Sequence, residues 1–411
     1  MLLRYTRYVS VAVLASMVAA CGGGGAATST LPVANTGGAP LAGSFSDSLG
    51  TINPNNTRSA CGAVSFGEAR CFAQVRTDVA PQLDSPNVTV AGYSRKDFIS
   101  AYKLPSTGGT GQTVGIVDAF DDPNAEKDLG VYRKHFALPA CTTANGCFKK
   151  VNQTGGTKYP SPDPGWGAEM SLDLDMVSAA CPKCHIILVE ATSNSFADLG
   201  KSVNEAVKLK ANVVSNSYGG SEFAATSSQF NHPGVLVLAS SGDGGYGAQQ
   251  PCSFATVVCV GGTSLRKAGG TRGWTETAWS GAGSGCSALV AKPTWQTDKG
   301  CTMRSESDVS AVADPNTGVA VYDTFGESGW LVFGGTSVSS PLVGAMFGLA
   351  GNAASQTVAK GLWAKLGSTN LNDVVLGSNG TCPTKISYIC HAGVGYDGIT
   401  GVGTPAGLGA L

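Results

Sequence analysis

The sequence predicts an α/β domain, a parallel sheet with helices on both faces, and three observations predict it. Short apolar runs of strand length recur at Thr113–Asp118, His185–Glu190, Asn212–Ser217, Val235–Ser240 and Val257–Val260. Segments with helical spacing lie between them, including Ala168–Ala180, with Met170, Leu174 and Val177 on one stripe, and the stretch from Ser195 to Lys210. The 411 residues are 42% hydrophobic, enough apolar material for one large core or two smaller ones, and alternating segments of this length commonly form a single α/β domain. Strands buried on both faces read as continuous apolar runs, and strands alternating with helices pair in parallel. In such sheets chemistry gathers at the carboxyl ends of the strands.

From the start of the chain, Met1–Ala20 reads as a secretory signal: Arg4 and Arg7 precede an apolar run, Val9–Ala20, too short to span a bilayer. Val18-Ala-Ala-Cys21 and the glycines after it resemble a bacterial lipobox, which would make Cys21 an acylated first residue. A plain signal peptide cut nearby is the alternative. Residues 21–92 are rich in Gly, Ala, Ser, Thr, Asn and Pro and read as a lipid-anchored tether with a small disulfide-pinned piece around Cys61 and Cys71. The α/β domain is expected over 93–411.

Thirteen cysteines are unusual for a reducing compartment, and setting Cys21 aside leaves an even number. They fall as neighbours, Cys61 with Cys71, Cys141 with Cys147, Cys181 with Cys184, Cys252 with Cys259, Cys286 with Cys301 and Cys382 with Cys390, so six local bridges are the simplest expectation. A net charge of −1 excludes nucleic-acid binding by bulk charge.

Four residues stand out. Gly334-Gly-Thr-Ser337-Val-Ser-Ser-Pro341 runs into the apolar helix Leu342–Ala350, which puts Ser337 where backbone N–H groups and the helix dipole favour a developing oxyanion. An N-cap serine is the structural alternative. Glu169 and Asp173 are four apart, hence stacked on one helix face, and like charges at that spacing repel; a solvated helix face is the alternative. Asp243 ends a strand in Ser240-Ser-Gly-Asp243-Gly-Gly245, where an Asx turn would also place it. Cys181-Pro-Lys-Cys184-His185 matches a c-type haem attachment motif, but His185 opens an apolar strand and the cysteines pair off evenly. A thioredoxin-like site is disfavoured because this Cys-x-x-Cys precedes a strand, not a helix.

The motifs Glu169-Met-Ser-Leu-Asp173, Ser241-Gly-Asp243, Gly335-Thr-Ser337 and Gly393-Val-Gly395-Tyr-Asp397, in that order, resemble the sedolisin family of serine-carboxyl peptidases. The likeness runs from about Tyr93 to the C-terminus. It implies a subtilisin-like fold in a single catalytic domain, with Ser337 as nucleophile, Glu169 as general base, Asp173 orienting Glu169, and Asp243 in the oxyanion hole. It also implies one structural calcium ion held by Asp373 and Asp397 with the carbonyls of Val374, Gly393 and Gly395, an oxygen-only set suited to a hard cation. Peptide or unfolded protein would be the substrate, paired along Ser217-Tyr-Gly-Gly220, with Trp166 and Tyr246 as candidate pocket residues. The expectation is an acid-active, monomeric enzyme, secreted or outer-membrane-anchored, touching membrane only through lipidated Cys21. A carboxylate base works where histidine is already charged, and only a protonated Asp243 donates a hydrogen bond.

Val114-Gly-Ile-Val-Asp118 also resembles the strand that carries the aspartate of ordinary subtilisins. None of the histidines, His135, His185, His232 and His391, has the glycine-flanked setting that family needs. Asp118 is therefore read as a strand-end turn residue that helps to shape the site, not as catalytic. Sedolisins are usually made with a large folded prosegment, whereas residues 21–92 are mostly tether-like. Either the segment around Cys61–Cys71 does some of that work, or the disulfides replace it, or the protein is a catalytically silent surface binding module.

Overall fold

The computed structural model describes residues 56–85, 88–224, 227–355 and 358–411. The signal peptide, Cys21 and most of the tether fall outside the described residues. The chain enters through three short strands, β1 (Thr57–Ser59), β2 (Arg70–Cys71) and β3 (Gln74–Arg76), then α1 (Arg95–Tyr102) and β4 (Thr113–Ala119). There follow α2 (Ala125–His135), β5 (Phe148–Asn152), α3 (Pro164–Ala180), β6 (His185–Ala191), α4 (Phe196–Lys208), β7 (Val213–Asn216), β8 (Tyr218–Gly219) and β9 (Leu236–Ser240). The second half holds β10 (Val258–Lys267), β11 (Trp274–Ala278), β12 (Gly285–Ala291), β13 (Met303–Glu306), β14 (Val309–Val312), β15 (Val319–Asp323), β16 (Gly329–Gly334) and α5 (Thr336–Ala350).

The main sheet runs β11-β10-β9-β7-β4-β6-β5, with β14 also on β10, and every pair is parallel except β10 with β11. Helices cover both faces, as expected. On β4, a side chain at Gly115 would meet Ala206 of α4 and Ala211 just beyond it, whereas the adjacent Val114 meets Gly348 of α5, so α4 and α5 lie on opposite sides. All six expected disulfides are present. Joining Cys181 to Cys184 consumes both sulfurs that a haem thioether linkage would need.

Two helices position the site. α3 starts where Asp163 caps Gly165 N and Trp166 N, with Pro164 in the first turn. From Trp166 to Ala180 every residue is buried, so α3 is not the one-striped helix its spacing predicts; it is a central helix walled in on all sides. It carries Glu169, Asp173 and Asp175 inside nonetheless. α5 packs against α3 and begins after Gly335, whose φ of 101° a side chain would strain.

The short helices α1 and α2 are not legible in the sequence because each offers too few apolar positions to mark a stripe. Their buried apolar residues, Phe98, Ala101 and Tyr102 in α1 and Leu129 and Tyr132 in α2, are interrupted by charge. A second, antiparallel sheet, β1-β3-β16-β15, is not legible either. It joins residues 57–76, read as part of a tether, to strands more than two hundred positions away.

Candidate active site

Four residues singled out from the sequence meet at one end of the main sheet. α3 presents Glu169 and Asp173 one turn apart, the first turn of α5 presents Ser337, and the loop after β9 presents Asp243. Glu169, Asp173 and Ser337 are fully buried. Asp173 Oδ1 accepts from Ser217 Oγ at 2.7 Å, and Glu169 Oε2 accepts from the backbone N–H of Ala73 at 2.7 Å. Ser337 Oγ donates to Ser217 O at 3.2 Å and stands close enough to Glu169 to pull that carboxyl's pKa down. Glu169 Oε1 and Asp173 Oδ2 have no hydrogen-bond partner.

Asp243 is held by the start of α5. Its Oδ1 accepts from Thr336 N at 2.8 Å and Thr336 Oγ1 at 2.9 Å, while Thr336 Oγ1 in turn accepts from Gly242 N. Asp243 is partly exposed as a residue, yet its Oδ2 is shut away from solvent and unpartnered. A Cβ at Gly335 would sit 2.7 Å from that oxygen, so only glycine lets α5 begin this close to it.

Asp118, expected to be a strand-end turn residue that helps to shape the site, is set beside Glu169 and Asp173. It lies near the end of β4, fully buried, with neither carboxylate oxygen bonded. Burial pushes its pKa up to about 8. Burial first, and then the Asp118 charge, hold both Glu169 and Asp173 well above the usual carboxylate range. Asp243 is pushed up to about 7 by burial, against the downward pull of its Thr336 hydrogen bonds. The sequence signal for Asp118 is present, a lone acid ending an apolar run, but its nearness to α3 is not a sequence property.

The four histidines take no part in this cluster. His135 packs its ring on Trp330, 4.6 Å between centroids, His185 opens β6 at the surface, His232 bonds Gln229 O, and His391 lies against Cys390. Tyr246 lines a cleft with Phe72 and Gly220, whereas Trp166 packs edge-on with Phe120 and tilted against Tyr218 in the core.

The subtilase family, peptidase family S8, matches residues 161–373, more than half of the chain and a span that includes Glu169, Asp173, Asp243 and Ser337. The chain belongs to the subtilase family. Among curated proteins this subtilase is 28% identical to kumamolisin of Bacillus sp. (strain MN-32) over 368 residues, and 26% identical to sedolisin of Pseudomonas sp. (strain 101) over 383 residues. Those alignments cover 80% and 79% of this chain but 64% and 60% of the relatives, so the chain spans less than two thirds of their length. Pseudomonas sedolisin, a serine-carboxyl proteinase solved with two molecules of pseudo-iodotyrostatin, has the same fold, with a TM-score of 0.65 at 24% identity over 78% of this chain and 96% of that one. Sphericase matches at a TM-score of 0.50 and 17% identity, over 77% of this chain and 98% of its own.

The residues expected to hold calcium lie in the C-terminal loops. Asp397 is fully buried; its Oδ1 accepts from Ile399 N and Thr400 N, its Oδ2 from Thr400 Oγ1, and burial pushes it up to about 7. Gly395 N donates to Asp373 Oδ2 at 2.9 Å, which ties the second carboxylate to the same loop. Two carboxylates joined by a glycine loop, one of them buried, fit a hard cation.

Proposed function

We propose that the chain is a serine-carboxyl endopeptidase that cleaves peptide or unfolded protein in acid. The observation that carries this is the convergence of Ser337 with three buried carboxyl groups, Glu169, Asp173 and Asp118, and no histidine near them. Ser337 Oγ turns from Ser217 O to Glu169, gives up its proton there and attacks the substrate carbonyl carbon. Asp173, fixed by Ser217, holds Glu169 in place and tunes it. The negative oxygen that forms is met by the Ser337 N–H, which lies in the first helical turn and has no helical acceptor, and by Asp243. Because Asp243 Oδ1 already accepts twice from Thr336, the Asp243 proton belongs on Oδ2, the free oxygen. Glu169 then protonates the leaving amine, and water resolves the acyl-enzyme by the reverse path.

The pH dependence follows from two opposite needs. Glu169 must be ionised to accept a proton, which sets the acid limb once water enters the cleft and relieves part of its burial. Asp243 must be neutral to donate, so activity falls as pH rises through about 7. The test is hydrolysis of an unfolded protein at about pH 4 and about pH 7.5, values that bracket carboxyl and histidine titration, with Ser337→Ala alongside. Cleavage in acid that the variant lacks supports the reading; a maximum at neutral pH overturns it.

Further parts of the reading rest on the sequence resemblance. One calcium ion bound by Asp373 and Asp397 with the carbonyls of Val374, Gly393 and Gly395 would brace the C-terminal loops. Export through residues 1–20, and anchoring through an acylated Cys21, would place a monomeric enzyme outside the cytoplasm.

A further inference from the structure

We infer that Asn379 is a positioning residue for the proposed reaction: its side-chain amide and its backbone carbonyl together set the loop that carries Asp243 and Tyr246. This rests on the peptidase reading above and adds to it a residue from a distant excursion of the chain. The loop, Gly242-Asp-Gly-Gly-Tyr-Gly247, is two-thirds glycine, and Gly242, Gly245 and Gly247 take φ of 107°, 73° and 151°. Such a segment brings no stiffness of its own. Thr336 fixes only its entry, at Gly242 N and the Asp243 carboxylate. What holds the remainder must come from outside.

Residues 281–284 run beside the loop and bracket Asp243. Gly283 N donates to Gly242 O at 2.7 Å, ahead of it, while Gly245 N donates to Gly281 O at 2.9 Å and Gly247 N to Ser284 O at 2.6 Å, behind it. Asn379 binds both partners in this arrangement. Its Nδ2 donates to Ala282 O at 2.7 Å and to Ser284 Oγ at 2.8 Å, which uses both amide hydrogens. Its backbone O accepts from Tyr246 N at 3.1 Å, and a Cβ on Gly245 would lie 2.5 Å from that oxygen. Asn379 is buried, so no bulk water stands by to replace these bonds when they are lost. Its own place is fixed in turn: Asn379 N donates to Cys390 O, Ala392 N donates to Gly377 O, and the Cys382–Cys390 disulfide closes the excursion between them. A disulfide-pinned excursion thus reaches the oxyanion loop through one side chain.

The loop so held carries two parts of the site. Asp243 is the proposed side-chain donor to the oxyanion, and Tyr246 walls the cleft with Phe72 and Gly220. Without the amide of Asn379, residues 281–284 lose their anchor and the loop its brace. Displacing Asp243 weakens an interaction made in the transition state and lowers kcat, whereas moving the Tyr246 wall raises KM. Loosening also admits water to Asp243, whose pKa is raised by burial and therefore falls as burial is relieved. The charged groups that face Asp243 are Arg70 and Glu169, and a substitution at Asn379 alters neither.

The test compares full-length wild type, Asn379→Ala and Ser284→Ala in the hydrolysis of an unfolded protein from about pH 3 to about pH 8, a range that spans carboxyl and histidine titration. For Asn379→Ala, kcat per folded molecule should fall about ten- to a hundredfold, the scale that a misplacement of about 1 Å produces. KM should rise, and the alkaline limb, near pH 7 in the wild type, should move to lower pH. Ser284→Ala removes one of the two amide acceptors and should shift kcat and the limb the same way by less; it carries the test where Asn379→Ala does not fold. Asn212→Ala is the control, since Asn212 Oδ1 accepts from Thr113 N at the opposite, amino end of the sheet. It should lower the melting temperature and leave kcat, KM and the limb at wild-type values. If Asn379→Ala and Ser284→Ala also lose only stability, this inference falls and the peptidase reading stands. If Asn212→Ala moves the limb as they do, the shift reports general loosening and the inference falls too. Folded wild type that hydrolyses nothing overturns the peptidase reading and this inference with it.

Discussion

Two groups of buried acids lie at the carboxyl ends of neighbouring strands, and they are built on opposite terms. Asp118 of β4 and Glu190 of β6 are paired across the sheet in register. Glu190 and Asp121 share Lys150, whose Nζ reaches Glu190 Oε1 at 2.9 Å and also contacts Asp121 Oδ1. Burial still pushes Glu190 up to about 8, but Lys150 pulls it down and is itself held above its usual pKa by the two acids. Asp118, Glu169 and Asp173 have no such cation: burial pushes all three upward, and the Asp118 charge adds to it at Glu169 and Asp173. An acid cluster that serves structure comes with its counter-ion. The one that the proposed mechanism asks to trade protons is left without it, and the surrounding fold must hold it in place.

The largest effects are expected where that contrast is broken at the uncompensated cluster. Glu169→Gln keeps the shape but cannot take a proton, so kcat should fall by about 10²–10⁴, while the denaturant midpoint holds or rises because a buried acid with an orphan oxygen is gone. Asp243→Asn should lower kcat by about 10²–10³ if the amide lies askew of the oxyanion. Its decisive readout is the pH profile, which should lose the decline near pH 7 that Asp243 ionisation imposes.

Lys150→Met tests the compensated cluster. Removing it leaves Glu190 and Asp121 without their cation, so the denaturant midpoint should drop, and by more above about pH 8, where Glu190 ionises, than below it, with activity per folded molecule unchanged. If Lys150→Met instead costs activity at full stability, the division between the two clusters fails.

A smaller effect is expected from pH itself. Asp118 titrates near 8 and Asp122 and Asp323 near 7 in the fold, all above the ordinary aspartate value. The folded state therefore binds more protons than the unfolded chain between about pH 4 and pH 8. Stability is greatest below the unfolded pKa and is lost as pH rises through the folded ones, so the urea midpoint should be higher at pH 5 than at pH 8. Asp118→Asn should flatten that slope. Smallest is the C-terminal loop: calcium should raise Tm and chelation lower it, and Asp373→Asn should abolish the difference.

The parts of the molecule that sequence made legible share a cause. β4, β6, β7 and β9 are continuous apolar runs because both faces of a parallel strand are buried, and α5 follows the glycine pair Gly334-Gly335 and runs on through Pro341 into its apolar stretch; each is a local pattern with a local reason. Glu169, Asp173, Asp243 and Ser337 were legible through the order of their motifs, which resembles the sedolisin family; spacing and neighbouring glycines alone left a solvated helix face, an Asx turn and an N-cap open. Asp118 was not, because an acid at a strand end is ordinary until α3 is seen beside it. Nor was the path of residues 68–73, whose composition resembles the tether they follow; their extended form is imposed by Asn194, Tyr218 and Gly219, residues far away in the chain.

By itself, then, the amino-acid sequence determined the strand and helix runs of the main sheet and the pairing of neighbouring cysteines, because each rests on contacts within a few residues, and the resemblance of its motifs singled out Glu169, Asp173, Asp243 and Ser337. Tertiary structure alone decided that Asp118 joins them, that Lys150 lies beside one acid cluster and not the other, and that Phe72–Ala73 lies between Glu169 and Ser217, next to Ser337. Those outcomes depend on burial and on distances between segments remote in the chain, and neither quantity exists until the sheet has closed around them.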